Sequence, residues 1–232
     1  MAVAIVAGND WIAGTAHPGT SVSKALGVST TAGSLLVAIT QTFTNEAAPV
    51  FTDNRGNTWA AGVNVAYSGA LGCRFDLGYA LVSSAGATTI TATGTASTNR
   101  DIIVAEFTGV ASTSVVDGAP TSASGSSSSS MNPGAITTTT AGVIIGAAIY
   151  SSPAGTPTPT SGSYTGYNVT TSGDYDFNVC HRISTGALTS ESPSWSSKDF
   201  WMAIGIAFKA ASGGGGSVAP IVAYYNSLRV NA

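Results

Sequence analysis

The side chains able to do chemistry are few, and their spacing does not favour it. Nucleophilic catalysis needs a base held in place by a third group, and the chain has only two histidines, His17 and His181. His17 sits in Ala16-His17-Pro18-Gly19, which predicts a turn. His181 directly follows Cys180, and on a strand neighbouring side chains point to opposite faces, so the two cannot pair as nucleophile and base. No Gly-x-Ser-x-Gly elbow occurs. Glycoside hydrolysis needs two carboxylates across a cleft. Of Glu46, Glu106 and Glu191, only Glu106 falls inside a predicted strand, and its counterpart in the repeat described below, Ile204-Gly205-Ile206, carries no carboxylate. Asp76 and Asp176 lie between apolar neighbours on matching strands, a setting that suits hydrogen bonds within the fold. Asp53-Asn54-Arg55-Gly56-Asn57 is rich in oxygen but lacks the ligand spacing and closing Glu of a calcium loop, and predicts a turn with Gly56 at positive φ. Cys73 and Cys180 are too few for a disulfide framework or a zinc site; buried free thiols are expected, with a single bridge as the alternative. The chain is therefore expected to be non-enzymatic, with no cofactor and no metal.

The elements that would position these groups are strands. Gly, Ser, Thr, Ala and Val dominate the 232 residues, and no segment carries an apolar stripe at helical spacing. Short runs of Val, Ile, Thr, Phe and Tyr alternate with clusters of Gly, Asn, Asp, Pro and Ser. They predict strands at 2–6, 20–28, 34–43, 49–52, 58–67, 73–82, 87–93, 101–109, 134–139, 142–150, 164–170, 174–183 and 199–209. Hydrophobic residues make up 44 % of the chain, enough for a core, so disorder of the whole chain is excluded. Charged residues make up only 8 %, and the net charge is −3. Eight scattered basic residues make no phosphate-neutralising patch, which argues against nucleic acid. The longest apolar run, Ala141 to Tyr150, is shorter than the roughly 20 residues of a spanning helix, so no membrane insertion is expected. The opening MAVAIVAGND has neither the basic nor the long apolar region of a secretory signal; either a signal has already been removed or the protein leaves the cell by another route, such as assembly in the host cytoplasm into a particle released by lysis.

The sequence also repeats itself. Thr30-Thr31-Ala32-Gly33-Ser34-Leu35-Leu36 returns as Thr139-Thr140-Ala141-Gly142-Val143-Ile144-Ile145, at an offset of 109. Phe75-Asp76-Leu77 returns as Tyr175-Asp176-Phe177 at 100, and Arg100-Asp101-Ile102 as Lys198-Asp199-Phe200 at 98. A preserved order with shrinking offsets is what two copies of one β unit with trimmed loops would give. Half a sandwich has open edges and half a core, so two copies would pair to complete it. The expected fold is all-β: an antiparallel two-sheet sandwich of jelly-roll type over 1–211, with pseudo-repeats at about 20–110 and 131–210. Ala119 to Pro133, with its serine run, is expected to be a polar, mobile crossover.

Residues 212–217 (SGGGGS) read as a flexible linker, though the same letters fit an artificial one. Behind them, 218–232 is an apolar, aromatic tail, and Val218, Pro220, Ile221, Val222, Tyr224, Tyr225 and Leu228 are its candidate partner-binding residues. Among the tryptophans, Trp59 and Trp201 are expected in the core. Trp195, in Ser192-Pro193-Ser194-Trp195-Ser196-Ser197, is the candidate for exposure and for glycan contact.

TTAGSLLVAIT, FTDNRGNTW, RFDLGYALV, IIVAEFTGV, the Ser-rich crossover and the Gly-rich leash with its apolar end together resemble β-sandwich domains of bacteriophage virion proteins and bacterial surface proteins. The resemblance spans about residues 20–232 and rests on strands and turns. It implies a structural role: a capsid decoration or head-fibre protein that contacts copies of itself and other virion proteins, located on the virion. The alternative is a carbohydrate-binding or adhesive module at an extracellular surface, contacting host-surface glycans.

Overall fold

The computed structural model describes residues 2–44, 46–67, 72–126, 130–151, 164–170, 175–196 and 200–212. The tail 218–232, with its seven candidate partner-binding residues, and linker positions 213–217 lie outside them. The described residues are all-β, with fourteen strands: β1 Ala4–Ile5, β2 Ile12–Ala25, β3 Leu35–Thr42, β4 Val50–Asp53, β5 Trp59–Tyr67, β6 Cys73–Leu81, β7 Thr89–Thr108, β8 Thr121–Ser126, β9 Ser130–Met131, β10 Gly142–Ser151, β11 Thr165–Thr170, β12 Tyr175–Ser184, β13 Trp195–Ser196 and β14 Phe200–Lys209. All pairings are antiparallel. None of the described residues forms a helix long and apolar enough to cross a membrane.

The strands form a two-sheet sandwich. The seven strands before residue 109 build one sheet; β8, β10, β11, β12 and β14 build the other, and β9 and β13 pair with each other in a separate two-stranded ribbon. The first runs β5-β6-β3-β7, with β1, β2 and β4 all pairing β7; the second runs β11-β12-β10-β14-β8. Each half of the chain thus makes its own sheet, whereas the expected jelly roll would pass strands from one sheet to the other. Between the sheets lies the main core. Leu35, Val37 and Ile39 of β3, Phe75 and Leu77 of β6, and Ile103, Ala105 and Phe107 of β7 meet Val143, Ile145, Ala147 and Ile149 of β10 and Met202, Ile204, Ile206 and Phe208 of β14.

The outer faces of both sheets are covered too, which explains why SLLVAIT, GVIIGAAIY and FWMAIGIAF are unbroken apolar runs rather than alternating ones. Every residue of β3 is buried. On the first sheet the cover is the early part of β7 with the ends of β2 and β4: Ile90 and Ala92 pack over Leu36, Ala38, Ile102 and Val104. The 20-residue β7 therefore bends and lies over itself, where two separate strands, 87–93 and 101–109, were expected. β2 follows it round, with register shifts between Ala16, Gly19 and Ser21. The turn expected at Ala16–Gly19 is this irregular stretch within one strand. On the second sheet the cover includes Met131, Ile136, Leu188 and Trp195.

Two further differences concern the crossover. Thr121–Ser126 is not a mobile connector but strand β8, laddered onto β14. Small side chains allow this: a Cβ on Gly125 would come within 2.9 Å of the Trp201 ring. Residues 134–139 form no strand; Ile136 makes one isolated bridge to Glu191 and drops into an outer core. The motif alignment of the repeat also slips by one residue. Leu35 faces the inter-sheet core, but its sequence match Ile144 faces outward, and a one-residue slip exchanges faces.

Candidate functional site

Each reactive group selected from the sequence is tied up within the fold wherever its side chain is described. Glu106, on the outer face of β7, is fully buried. One carboxylate oxygen accepts from Thr31 N (2.7 Å) and Ser34 Oγ (2.6 Å), the other from Asn9 Nδ2 (2.5 Å). Asn9 is fixed in turn by Val28, donating to its carbonyl and accepting from its N–H. Glu106 therefore anchors the Thr30–Gly33 turn and the N-terminal segment, and its oxygens face donors rather than a cleft.

Asp117 does the same work for the second sheet, and nothing in the sequence singled it out. It accepts from Thr139 N (2.9 Å), Thr139 Oγ1 (2.6 Å), Thr140 N (3.1 Å) and Thr140 Oγ1 (3.2 Å). Burial alone would raise its pKa, but these donors outweigh burial and hold the carboxyl below its ordinary value. The repeated Thr-Thr-Ala-Gly thus meets a buried carboxylate in each half, from different places in the chain.

Asp76 binds Arg74 side by side, with both oxygens on the guanidinium at 2.7–3.0 Å. Burial pushes its pKa up against the pull of Arg74. Glu46 pairs with Arg100 and accepts from Thr95 N (2.6 Å) and Ala96 N (2.8 Å). Arg100 donates to Gly19 O (3.0 Å) and Ala96 O (2.7 Å). This ion pair pins the bend where β7 and β2 turn over the first sheet. The third glutamate, Glu191, pairs Arg182 at 2.5 Å.

The turn at 53–57 forms as expected, with Gly56 at φ +71°. Asp53 accepts from Arg55 N, Asn57 N, Asn57 Nδ2 and Trp59 Nε1 (2.7 Å). Its oxygens are occupied by donors, so the loop presents no calcium cage. Among the described residues no group of three or more His, Cys, Asp or Glu is placed to hold a metal ion. Neither Cys73 nor Cys180 is in a disulfide; both are buried, Cys73 in the core between the sheets and Cys180 on the outer face of the second sheet, which excludes a bridge between them. Burial pushes the Cys73 thiol up to about 11 and raises Cys180 as well.

Trp195 is not exposed. It is fully buried against Met131, Ala148, Tyr150, Cys180, Trp201 and Ala203, and donates Nε1–H to Asn178 Oδ1 at 2.5 Å. Its serine and proline neighbours suggested a surface loop, but the outer face of the second sheet needs a lid, and Gly146 leaves room there for Pro193. Trp201 is core as expected; Trp59 is half-buried and stacks on Phe51 at 5.7 Å. Trp11, given no role by the sequence, is buried between the sheets and donates to His181 Nδ1 at 3.2 Å.

Comparison with protein-family models, with curated proteins and with solved structures finds no match.

Proposed function

We propose that this chain is a non-enzymatic structural protein of a bacteriophage particle, most simply a capsid decoration or head-fibre protein, that works by surface contact through its sandwich and its C-terminal tail. The observation that carries the non-enzymatic part is the occupation of four buried carboxylates: Glu106, Asp117, Asp76 and Glu46 all face donors of the fold. A catalytic carboxylate needs a free oxygen facing substrate. The virion setting comes from the sequence resemblance, and the low-charge surface of Ser, Thr and Gly suits close packing against neighbours. The carbohydrate-binding alternative loses the aromatic platform on which it rested, because Trp195 is inside.

We also read the two sheets as copies of one ancestral unit. In chain order, β2, β3, β5, β6 and β7 take the same sheet positions as β8, β10, β11, β12 and β14.

The test is deletion of 212–232. The truncated sandwich should fold, with an unchanged thermal midpoint, and should no longer join oligomers or particles in negative-stain images and co-sedimentation. Equal association by the truncated and full chains would refute the docking tail. Turnover of a glycoside library that depends on Glu106 would refute the non-enzymatic reading.

A further inference from the structure

Residues 2–11 are held to the two sheets in unequal ways. On the first sheet, β1 pairs Ile5 with Phe107 and Ala4 with Thr108, and Asn9 bonds Glu106. On the second, the ring of Trp11 packs against Tyr167 of β11 at 6.4 Å, and its indole N–H makes one hydrogen bond, of 3.2 Å, to His181 of β12. The backbone at Trp11 has φ +49°, a left-handed conformation that bulky side chains avoid. The contact is therefore made at the cost of local strain.

That hydrogen bond has a fixed direction. An indole N–H only donates, so His181 Nδ1 must be the bare nitrogen and the ring proton sits on Nε2. A protonated imidazole carries N–H at both nitrogens and leaves Trp11 without an acceptor. Two N–H groups would then face each other in a buried site.

The surroundings of His181 do not supply a substitute. On its own face of β12 lie Val179 and Ile183, with Ile145 of β10 and Thr165 of β11 paired opposite it. Tyr167 of β11 stacks on the ring at 6.0 Å, and Phe107 of β7 meets it edge-on at 5.6 Å. Cys180 and Arg182 lie on the opposite face of the strand. Burial holds the His181 pKa below its ordinary value, against the opposing pull of Asp10 beside Trp11. The Tyr167 phenol is itself held up by burial and by Asp10, so it stays uncharged.

We propose that the Trp11–His181 contact is a pH-operated clasp, which ties the N-terminal segment to the second sheet while the imidazole is neutral and gives up that tie when it takes up a proton, leaving the segment to its weaker-held first-sheet contacts alone. Relaxation of the strained Trp11 backbone favours the released state.

Hydrogen exchange on the full chain, corrected for the pH dependence of the exchange chemistry, tests this. Protection of residues 3–9 should fall at least tenfold between about pH 7.5 and about pH 4.5, a window that runs from above the ordinary histidine value to well below it, while β3 and β10 stay protected. His181→Gln keeps a carbonyl acceptor that does not titrate and should abolish the fall. Trp11→Phe keeps an aromatic ring but removes the donor, and should leave residues 3–9 weakly protected at both pH values. Equal protection of the unaltered chain at the two pH values overturns the proposal, and so does a full fall in His181→Gln. If His181→Gln fails to protect β10, Trp11→Phe decides: an undiminished fall there overturns the clasp.

Discussion

Replacing Glu106 separates a structural carboxylate from a catalytic one. Glu106→Ala removes the acceptor for Thr31 N, Ser34 Oγ and Asn9 Nδ2 together. A buried donor left without a partner costs about 1–3 kcal/mol, and the three losses overlap because they share one site. A destabilisation of about 3–6 kcal/mol follows, a large share of the roughly 5–15 kcal/mol that holds a domain folded. Glu106→Gln behaves differently. Its remaining carbonyl can serve Thr31 and Ser34, which share one oxygen of Glu106, but its amide then meets the Asn9 amide donor to donor. Asn9 cannot flip to relieve this without breaking both bonds to Val28. The expected cost is about 1.5–3 kcal/mol, one charged hydrogen bond. Urea unfolding at neutral pH, followed by tryptophan fluorescence, measures both. A loss under about 1 kcal/mol for Glu106→Ala, or a Gln variant as damaged as the Ala variant, refutes the anchoring role.

Trp195→Ala empties a fully enclosed site and should cost about 3–5 kcal/mol in thermal or urea unfolding, with no change on a glycan array. Both thiols should be unreactive toward an aromatic disulfide reagent at mildly alkaline pH and react stoichiometrically in denaturant; fast modification of the native protein would contradict the burial of Cys73 and Cys180. The Asp117 carboxyl sits below its ordinary pKa, so its contribution to stability is present above the unfolded carboxylate value and is lost as pH falls through the folded one. Asp117→Asn should flatten the decline of the urea midpoint between about pH 6 and about pH 3, and an unchanged slope would show that Asp117 is not its source.

The strands and the all-β class were legible because β propensity and turn residues are local signals. The turn at 53–57 was legible for the same reason: Asp53, Gly56 and Asn57 build it almost alone. Legibility failed where a second layer intervened. The bend in β7 depends on Arg100 and Glu46, which are far apart in sequence, and nothing near Gly94 announces that the strand continues past it. Trp195 looked like surface because its neighbours are Ser and Pro, yet its environment is set by Met131 and Cys180. Asp117 was invisible because its partners, Thr139 and Thr140, lie across a connection. His181 is buried, and its contact with Trp11 could not be seen because the two lie 170 positions apart.

The doubled-back β7 links cover and inner layer by covalent bonds rather than by side-chain packing alone. Tension applied at the tip near residue 88 would run along one continuous backbone to Phe107 in the middle of the molecule. The cover cannot slide or peel away without dragging that inner strand along, so the domain should yield to mechanical load as one piece rather than shedding its outer layer first.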